Sequence, residues 1–141
     1  MTSHEPLKNK RILVTGGSGF IGSHIVDALL DEGCGPITVI DNMVRGRPEN
    51  LASAMVSGNV RLVDGDIRDG ALMRDLVSQS DVVFHQAALR ITHCAAEPDE
   101  AMSVMVQATY DLLQLCIQHK VQKVVMASSA SIYGLAQNFP T

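Results

Sequence analysis

The chain has 141 residues, 46% of them hydrophobic and 18% charged, with a formal net charge of −4 at pH 7. That length suits one domain able to bury a core of its own. The acidic balance argues against a nucleic-acid partner, which needs a concentrated basic face that Arg45 and Arg47 are too few to supply.

No apolar run is long enough to cross a bilayer, so no membrane partner is expected. Met1–Lys10 lacks the apolar centre of a secretory signal. Cys34, Cys94 and Cys116 are odd in number, widely spaced and free of any C-x-x-C pattern, as expected of reduced thiols in a cytoplasmic protein.

The first strand is expected over Arg11–Thr15, which runs straight into Gly16-Gly17-Ser18-Gly19-Phe20-Ile21-Gly22. A helix-periodic stretch, Gly19–Asp31, follows and stops at Gly33. The second strand is Ile37–Asp41; beyond it Pro48 starts a short helix. Then come a strand over Val60–Asp64, a helix over Ala71–Ser78 and a strand over Asp81–His85. A long helix over Glu100–Lys120 carries Met102, Met105, Val106, Leu112, Leu113, Cys116 and Ile117 on one stripe, with Gln107, Gln114 and Gln118 facing away. Cys116 is read as a small core residue. The last strand is Lys123–Ser128.

These strands are short, β-branched and apolar on successive residues, as in a sheet covered on both faces. Strands alternating with helices predict an α/β fold, a Rossmann-type doubly wound parallel sheet with right-handed crossovers. Such a sheet takes its ligand outside the carboxyl ends of its strands.

Each of those ends carries something. Gly16, Gly19 and Gly22 read as G-x-x-G-x-x-G, and Gly17, Gly19 and Gly22 as G-x-G-x-x-G. Either spacing lets backbone turn sharply and approach a pyrophosphate, while the N–H groups and dipole of the following helix attract the anion. Asp41 ends the second strand, where a carboxylate accepts the adenosine ribose hydroxyls and repels a 2′-phosphate. NAD is therefore expected rather than NADP. Arg45 and Arg47 are either solvated loop charges or a seat for that phosphate.

After the third strand, Asp66 is placed to accept from the adenine amino group and Ile67 to pack on the ring, while Asp69 caps the next helix. After the fourth, Ala87 and Ala88 leave room for the cofactor to pass. His85 is read as a hydrogen-bonding support rather than an acid–base group. His85, His93 and Cys94 match no standard metal-ligand spacing, so no metal is expected. The fifth strand ends in Ala127-Ser128-Ser129-Ala130-Ser131-Ile132-Tyr133-Gly134, whose hydroxyls either hold a substrate hydroxyl or satisfy local backbone groups.

In order and spacing, Thr15–Gly22, Asp41-Asn42, Gly65–Asp69, His85–Ala88 and Ser128–Gly134 closely resemble the extended short-chain dehydrogenase/reductases. Within them the likeness is to the NAD-dependent sugar-nucleotide epimerase/dehydratase group, nearest to its UDP-glucose 4-epimerase-like members. The resemblance implies that Gly16, Gly19, Phe20, Ile21, Gly22, Asp41, Asn42, Asp66, Ile67, Ala87 and Ala88 contact NAD. It implies that Ser129 is the catalytic hydroxyl bonded to a UDP-sugar or other nucleotide-sugar substrate, and that the full-length protein is a homodimer built through the Glu100–Lys120 helix. Arg90–Pro98 is expected to border the sugar.

The family reaction uses a tyrosinate as base, its pKa lowered by a lysine four residues on. No such Y-x-x-x-K occurs here: Tyr110 is followed by Gln114 and Tyr133 by Gln137. The position of a family asparagine in the long helix holds Met105. Residues 1–141 are therefore expected to be the NAD-binding portion of such an enzyme, ending mid-loop at Pro140-Thr141 before the Tyr/Lys helix, and inactive alone.

Overall fold

Strand β1 (Ile12–Thr15) is buried at every position, which requires cover on both faces of its sheet. This computed structural model describes residues 7–134, apart from the side chain of Ser131; the residues before Leu7 and the Pro140-Thr141 end read above lie outside them. Helix α1 (Phe20–Asp31) leads to β2 (Ile37–Asp41), and a 3-10 turn at Pro48–Leu51 with α2 (Ala52–Val56) leads to β3 (Val60–Asp64). Helix α3 (Gly70–Ser78) precedes β4 (Val82–His85). Two short helices, α4 (Ile91–Ala96) and α5 (Pro98–Ala101), run into a π-helical segment, Met102–Gln107. Helix α6 (Ala108–Gln118), β5 (Lys123–Met126) and a 3-10 turn at Ala130–Tyr133 follow.

All strand pairs are parallel, in the order β3-β2-β1-β4-β5. The chain winds outward from β1 in one direction, then returns to wind outward from β4 in the other. The connections leaving β1 and β4 therefore diverge, and a crevice opens between them at the carboxyl edge. The expected doubly wound sheet is the observed one. Among the described residues no helix is long and apolar enough to cross a membrane.

The two faces of the sheet carry separate cores. Val26 and Leu29 of α1 and Leu51 and Ala54 pack on Ile12, Val14, Ile37 and Val39. On the opposite face Met73, Leu76 and Val77 of α3 and Leu112, Leu115 and Cys116 of α6 pack on Leu13, Ile40 and Val83. Successive strand residues point to opposite faces, which is why the strands between two covered faces, β1 and β4, are buried or nearly so at each position.

The Glu100–Lys120 stretch departs from expectation. It is not one α-helix, and only part of its expected stripe faces the core. Leu112 and Cys116 are buried and Leu113 half-buried, but Met102, Met105, Val106 and Ile117 are exposed, and Val104, Ala108 and Leu115 face inward instead. A π turn holds an extra residue, so the phase of the helix slips between Met102 and Gln107. The segment is apolar on more than one face, so the α-helical period could not show which face is buried. Strand β5 also ends two residues early, which releases Ala127 and Ser128 towards the crevice.

Helix α1 ends on Gly33, whose φ of +72° belongs to the left-handed region. Gly33 N–H donates to Leu30 O at 2.9 Å and Cys34 N–H to Leu29 O at 3.0 Å, the paired closing bonds of a Schellman stop. Gly33→Ala meets nothing nearer than Lys8 Cγ at 3.7 Å and is expected to cost about 1 kcal/mol for the backbone conformation alone. Gly22→Ala drives its methyl against the Gly16 carbonyl oxygen and to 2.7 Å from Gly17 Cα. Neither neighbour can rotate away, so the expected loss is about 3 kcal/mol. Urea unfolding of both variants checks this, and equal losses would contradict it.

Candidate functional site

The crevice is framed by backbone. Gly16 has φ +66°, and a Cβ there would stand 2.7 Å from Ala87 N and 2.8 Å from Ala87 Cα. The turns after β1 and β4 therefore touch main chain to main chain, and only glycine fits at that point. Gly19 N–H donates to Gly16 O at 3.2 Å, closing the turn.

Helix α1 starts at once from Gly19, which offers no side-chain cap, and its first turn carries no acidic residue. Its leading N–H groups and positive dipole end are left to an external anion. Phe20 and Ile21 stand exposed at this rim, 78% and 66% accessible.

The β4 turn is pinned by a buried relay. Register sets Thr15 beside His85. Thr15 Oγ1 accepts from Gln86 N–H and Ala87 N–H, each at 3.2 Å, and lies 2.7 Å from His85 Nδ1. With two donors already on its oxygen, the hydroxyl hydrogen goes to Nδ1. That assigns the ring proton to Nε2, which donates to Thr109 Oγ1 at 3.1 Å. His85 is only 6% exposed, and burial pushes its pKa below the ordinary 6.5. Both ring nitrogens are occupied, so His85 supports the turn, as expected. Leu89 N–H donates to Met105 Sδ at 3.2 Å; the thioether thus takes up a backbone donor of this turn.

Asp41 is nearly buried, and its oxygens accept from Ser18 N–H and Met43 N–H, each at 3.0 Å. Gly46 lies so close that a Cβ there would be 2.5 Å from Asp41 Oδ1. The loop after β2 is closed over the glycine turn: Ser18 O accepts from Arg47 N–H at 3.0 Å and from Asn50 Nδ2 at 2.8 Å.

Asp66 faces Arg68. Its Oδ1 accepts from Arg68 N–H at 2.8 Å and Nε at 2.9 Å, and its Oδ2 from Nη2 at 2.6 Å and Asn42 Nδ2 at 3.4 Å. The guanidinium holds the Asp66 carboxyl down at about 2, so it stays an acceptor at any working pH. Asp69 Oδ1 caps α3, accepting from Ala71 N–H and Leu72 N–H at 3.0 Å each, as expected.

These groups line one cavity of about 690 Å³, within the range of small-molecule sites. Gly16, Gly19, Phe20, Ile21, Gly22, Asp41, Asn42, Asp66, Ile67, Ala87 and Ala88 all border it. Ser128 borders it as well, and Ser129 follows, its carbonyl accepting from Ile132 N–H at 3.3 Å.

Asn50, Glu100 and Val104 also line the cavity and carried no signal for it in the sequence, and His93 lines it from within the Arg90–Pro98 stretch expected to border the sugar. Arg45 and Arg47 are in its wall too, rather than only solvated loop charges. They come from the loop folded over Ser18, whose path no periodicity encodes.

A parallel sheet of this order, with a glycine turn under an uncapped helix and an acid at the end of the second strand, is the arrangement of the doubly wound α/β folds that take dinucleotides at this edge. The model of the NAD dependent epimerase/dehydratase family matches residues 12–141, and the chain belongs to that family. It is 36% identical over 126 residues to a UDP-N-acetyl-alpha-D-glucosaminuronate decarboxylase of Bacillus cytotoxicus, a match covering 89% of this chain and 38% of the relative. It is also 36% identical over 135 residues to a UDP-glucose 4-epimerase of Azospirillum brasilense, covering 92% of this chain and 36% of the relative. The crystal structure of UDP-glucose 4-epimerase from Bifidobacterium longum in complex with NAD+ and UDP superposes with a TM-score of 0.82 at 34% identity, covering 93% of this chain and 40% of that one. The chain thus spans between 36% and 40% of the length of these proteins.

His85 gives the site a pH signature. Its folded pKa lies below 6.5, so between those two values the unfolded chain takes up a proton that the folded chain refuses. Stability from this group is complete above 6.5 and is lost as pH falls towards the folded pKa. Urea midpoints at pH 7.5 and 5.5 should drop more steeply for the wild-type chain than for His85→Gln. An equal drop would mean that the ring is not held neutral.

Proposed function

We propose that this chain is the NAD-binding portion of a sugar-nucleotide epimerase/dehydratase, with a UDP-sugar 4-epimerase as the leading reading. The observation that carries it is the convergence of the glycine turn, Asp41, Asp66 and the Ala87-Ala88 turn on one cavity. The fit to a dinucleotide is steric and electrostatic together. Gly16 and Gly22 leave backbone where a side chain would intrude, the α1 N-terminus is uncapped, and two fixed carboxylates face the cavity.

Bound NAD supplies a reversible hydride acceptor for the sugar carbon. The chain's own work is placement. The N–H groups of the glycine turn and of α1 receive the pyrophosphate. Asp41, already turned into the cavity by two backbone donors, accepts ribose hydroxyls. Asp66 accepts the adenine amino group, and Ile67 packs on the ring. Ala87 and Ala88 allow close passage, and Ser129 holds the reacting sugar hydroxyl. A UDP-sugar as substrate is supported by the relatives' own names.

Residues 1–141 are proposed to end before the Tyr/Lys helix and to bind NAD without turnover, because no Y-x-x-x-K pair occurs among them. The same fact supports a second reading, a dinucleotide-binding module that does not catalyse. A dehydratase is less favoured: Ala130 and Ser131 follow Ser129 where acidic groups would be wanted. Homodimer formation in the full-length protein is supported by Met102, Val106, Tyr110 and Ile117, an exposed apolar stripe at helical spacing. Residence in the cytoplasm is supported by Cys34, Cys94 and Cys116, all free thiols.

Calorimetric titration of these 141 residues should show saturable NAD binding and about tenfold or more weaker NADP, the discrimination expected of one ionic contact. Asp41→Asn should narrow that preference. Incubation with NAD and UDP-galactose should yield no UDP-glucose. Tighter binding of NADP, or no saturable binding of either, contradicts the proposal.

A further inference from the structure

A chain of ionisable side chains runs along the Asp66 side of the cavity, and three of them, His93, Glu100 and Arg68, make no contact assigned to the dinucleotide. It starts at His93 in α4, passes through Glu100 in α5 and ends on Arg68 and Asp66 after β3. Glu100 is its hub and gives one oxygen to each side. Oε2 lies 2.7 Å from His93 Nε2, and Oε1 lies 3.6 Å from Arg68 Nη1. Arg68 spends its remaining nitrogens on Asp66, whose other face meets Asn42.

The segment this chain holds has little else to hold it. Helices α4 and α5 have six and four residues and bury none of them. Helix α4 is too short to be stable on its own, whereas α5 is the first turn of a helical run that continues without a break to Gln118. Around α4 the backbone bonds are local, Cys94 N–H to Arg90 O, Glu97 N–H to His93 O and Ala101 N–H to Glu97 O, while α5 is bonded onward through Met102 N–H to Pro98 O and Asp99 O. Among the described residues, Arg68–Glu100 is the one ion pair that joins the segment to the sheet, and no side-chain hydrogen bond does so. Yet His93 and Glu100 line the cavity. The Arg90–Pro98 stretch, expected beside the sugar, is thus tied through His93 to the third-strand end, where Asp66 lies.

We propose that Glu100 and Arg68 form a clasp that holds the Ile91–Ala101 segment across the Asp66 end of the cavity and thereby governs retention of the dinucleotide. Both are positioning residues: Arg68 fixes the Asp66 carboxylate, and Glu100 joins Arg68 to α4. This rests on the dinucleotide reading for its ligand, but the clasp itself is testable without one. The pair is about a third exposed on each side, so it is screened by salt and its effect is small, about threefold in an opening equilibrium.

Millisecond amide hydrogen exchange on the ligand-free chain, read at Cys94, Glu97 and Ala101, tests the clasp. In the wild-type chain these amides should exchange about threefold faster in high salt than in low. Glu100→Gln should show the fast rate at both, Arg68→Met should do the same, and the double variant should add nothing. Exchange in Glu100→Gln that matches wild type at low salt, or that keeps the salt dependence, overturns the clasp. A stopped-flow chase of NAD should then show release from Glu100→Gln faster by the same factor, and an unchanged release rate overturns its role in retention. If NAD does not bind at all, the dinucleotide reading falls and takes the retention role with it, while the exchange result still decides the clasp.

Discussion

The site depends on one close approach, between the glycine turn after β1 and the turn after β4. Adjacent parallel strands run into these turns, and their main chains meet at Gly16 and Ala87 with no room for a methyl group between them. Contact at that distance is durable only if the polar groups of both turns are satisfied, because an unpaired buried donor costs about 1–3 kcal/mol. Thr15 meets that need, accepting from two N–H groups of the β4 turn and donating its hydroxyl to His85 Nδ1, while His85 Nε2–H donates to Thr109 Oγ1. The relay reaches from β1 through β4 to α6, so the floor of the crevice is fixed by three elements.

Upon that floor the electrostatics divide cleanly. The centre of the cavity presents backbone N–H groups and the positive end of α1, with no acid in its first turn to compete for them. The carboxylates stand to one side, at the ends of β2 and β3, and each is oriented by donors of the chain itself. A ligand matching this pattern carries negative charge in its middle and hydrogen-bond donors at one end. A pyrophosphate flanked by ribose hydroxyls and an adenine amino group meets both demands.

Much of this was legible in the residues. Strands β2 and β3 have the bounds expected of them, because each is a short β-branched stretch closed by an aspartate, even though the edge strand β3 carries an exposed Arg61. The glycine spacing and Asp41 were readable because turn geometry and strand ends constrain residue type locally. The long helix was not, since its π segment shifts the phase of a sequence that is apolar on two sides. Nor was the role of the Asn42–Asn50 loop, whose folding over Ser18 rests on Arg47 N–H and the Asn50 side-chain amide meeting one carbonyl, a pairing of distant positions that no periodicity records. The link from Glu100 to Arg68 was not legible either, because the two are distant in sequence and meet only in the fold.

The carboxyl edge of this sheet is proposed to hold NAD in the cavity between the two turns. Amide chemical-shift mapping of the isotopically labelled chain during NAD titration tests it directly. The predicted shifts fall on Gly16–Gly22, Asp41-Asn42, Asp66-Ile67 and Ala87-Ala88, and move together with one dissociation constant. Shifts gathered instead at the opposite edge, around Arg11, Asn59 and Arg61, or no shifts at saturating NAD, would contradict it.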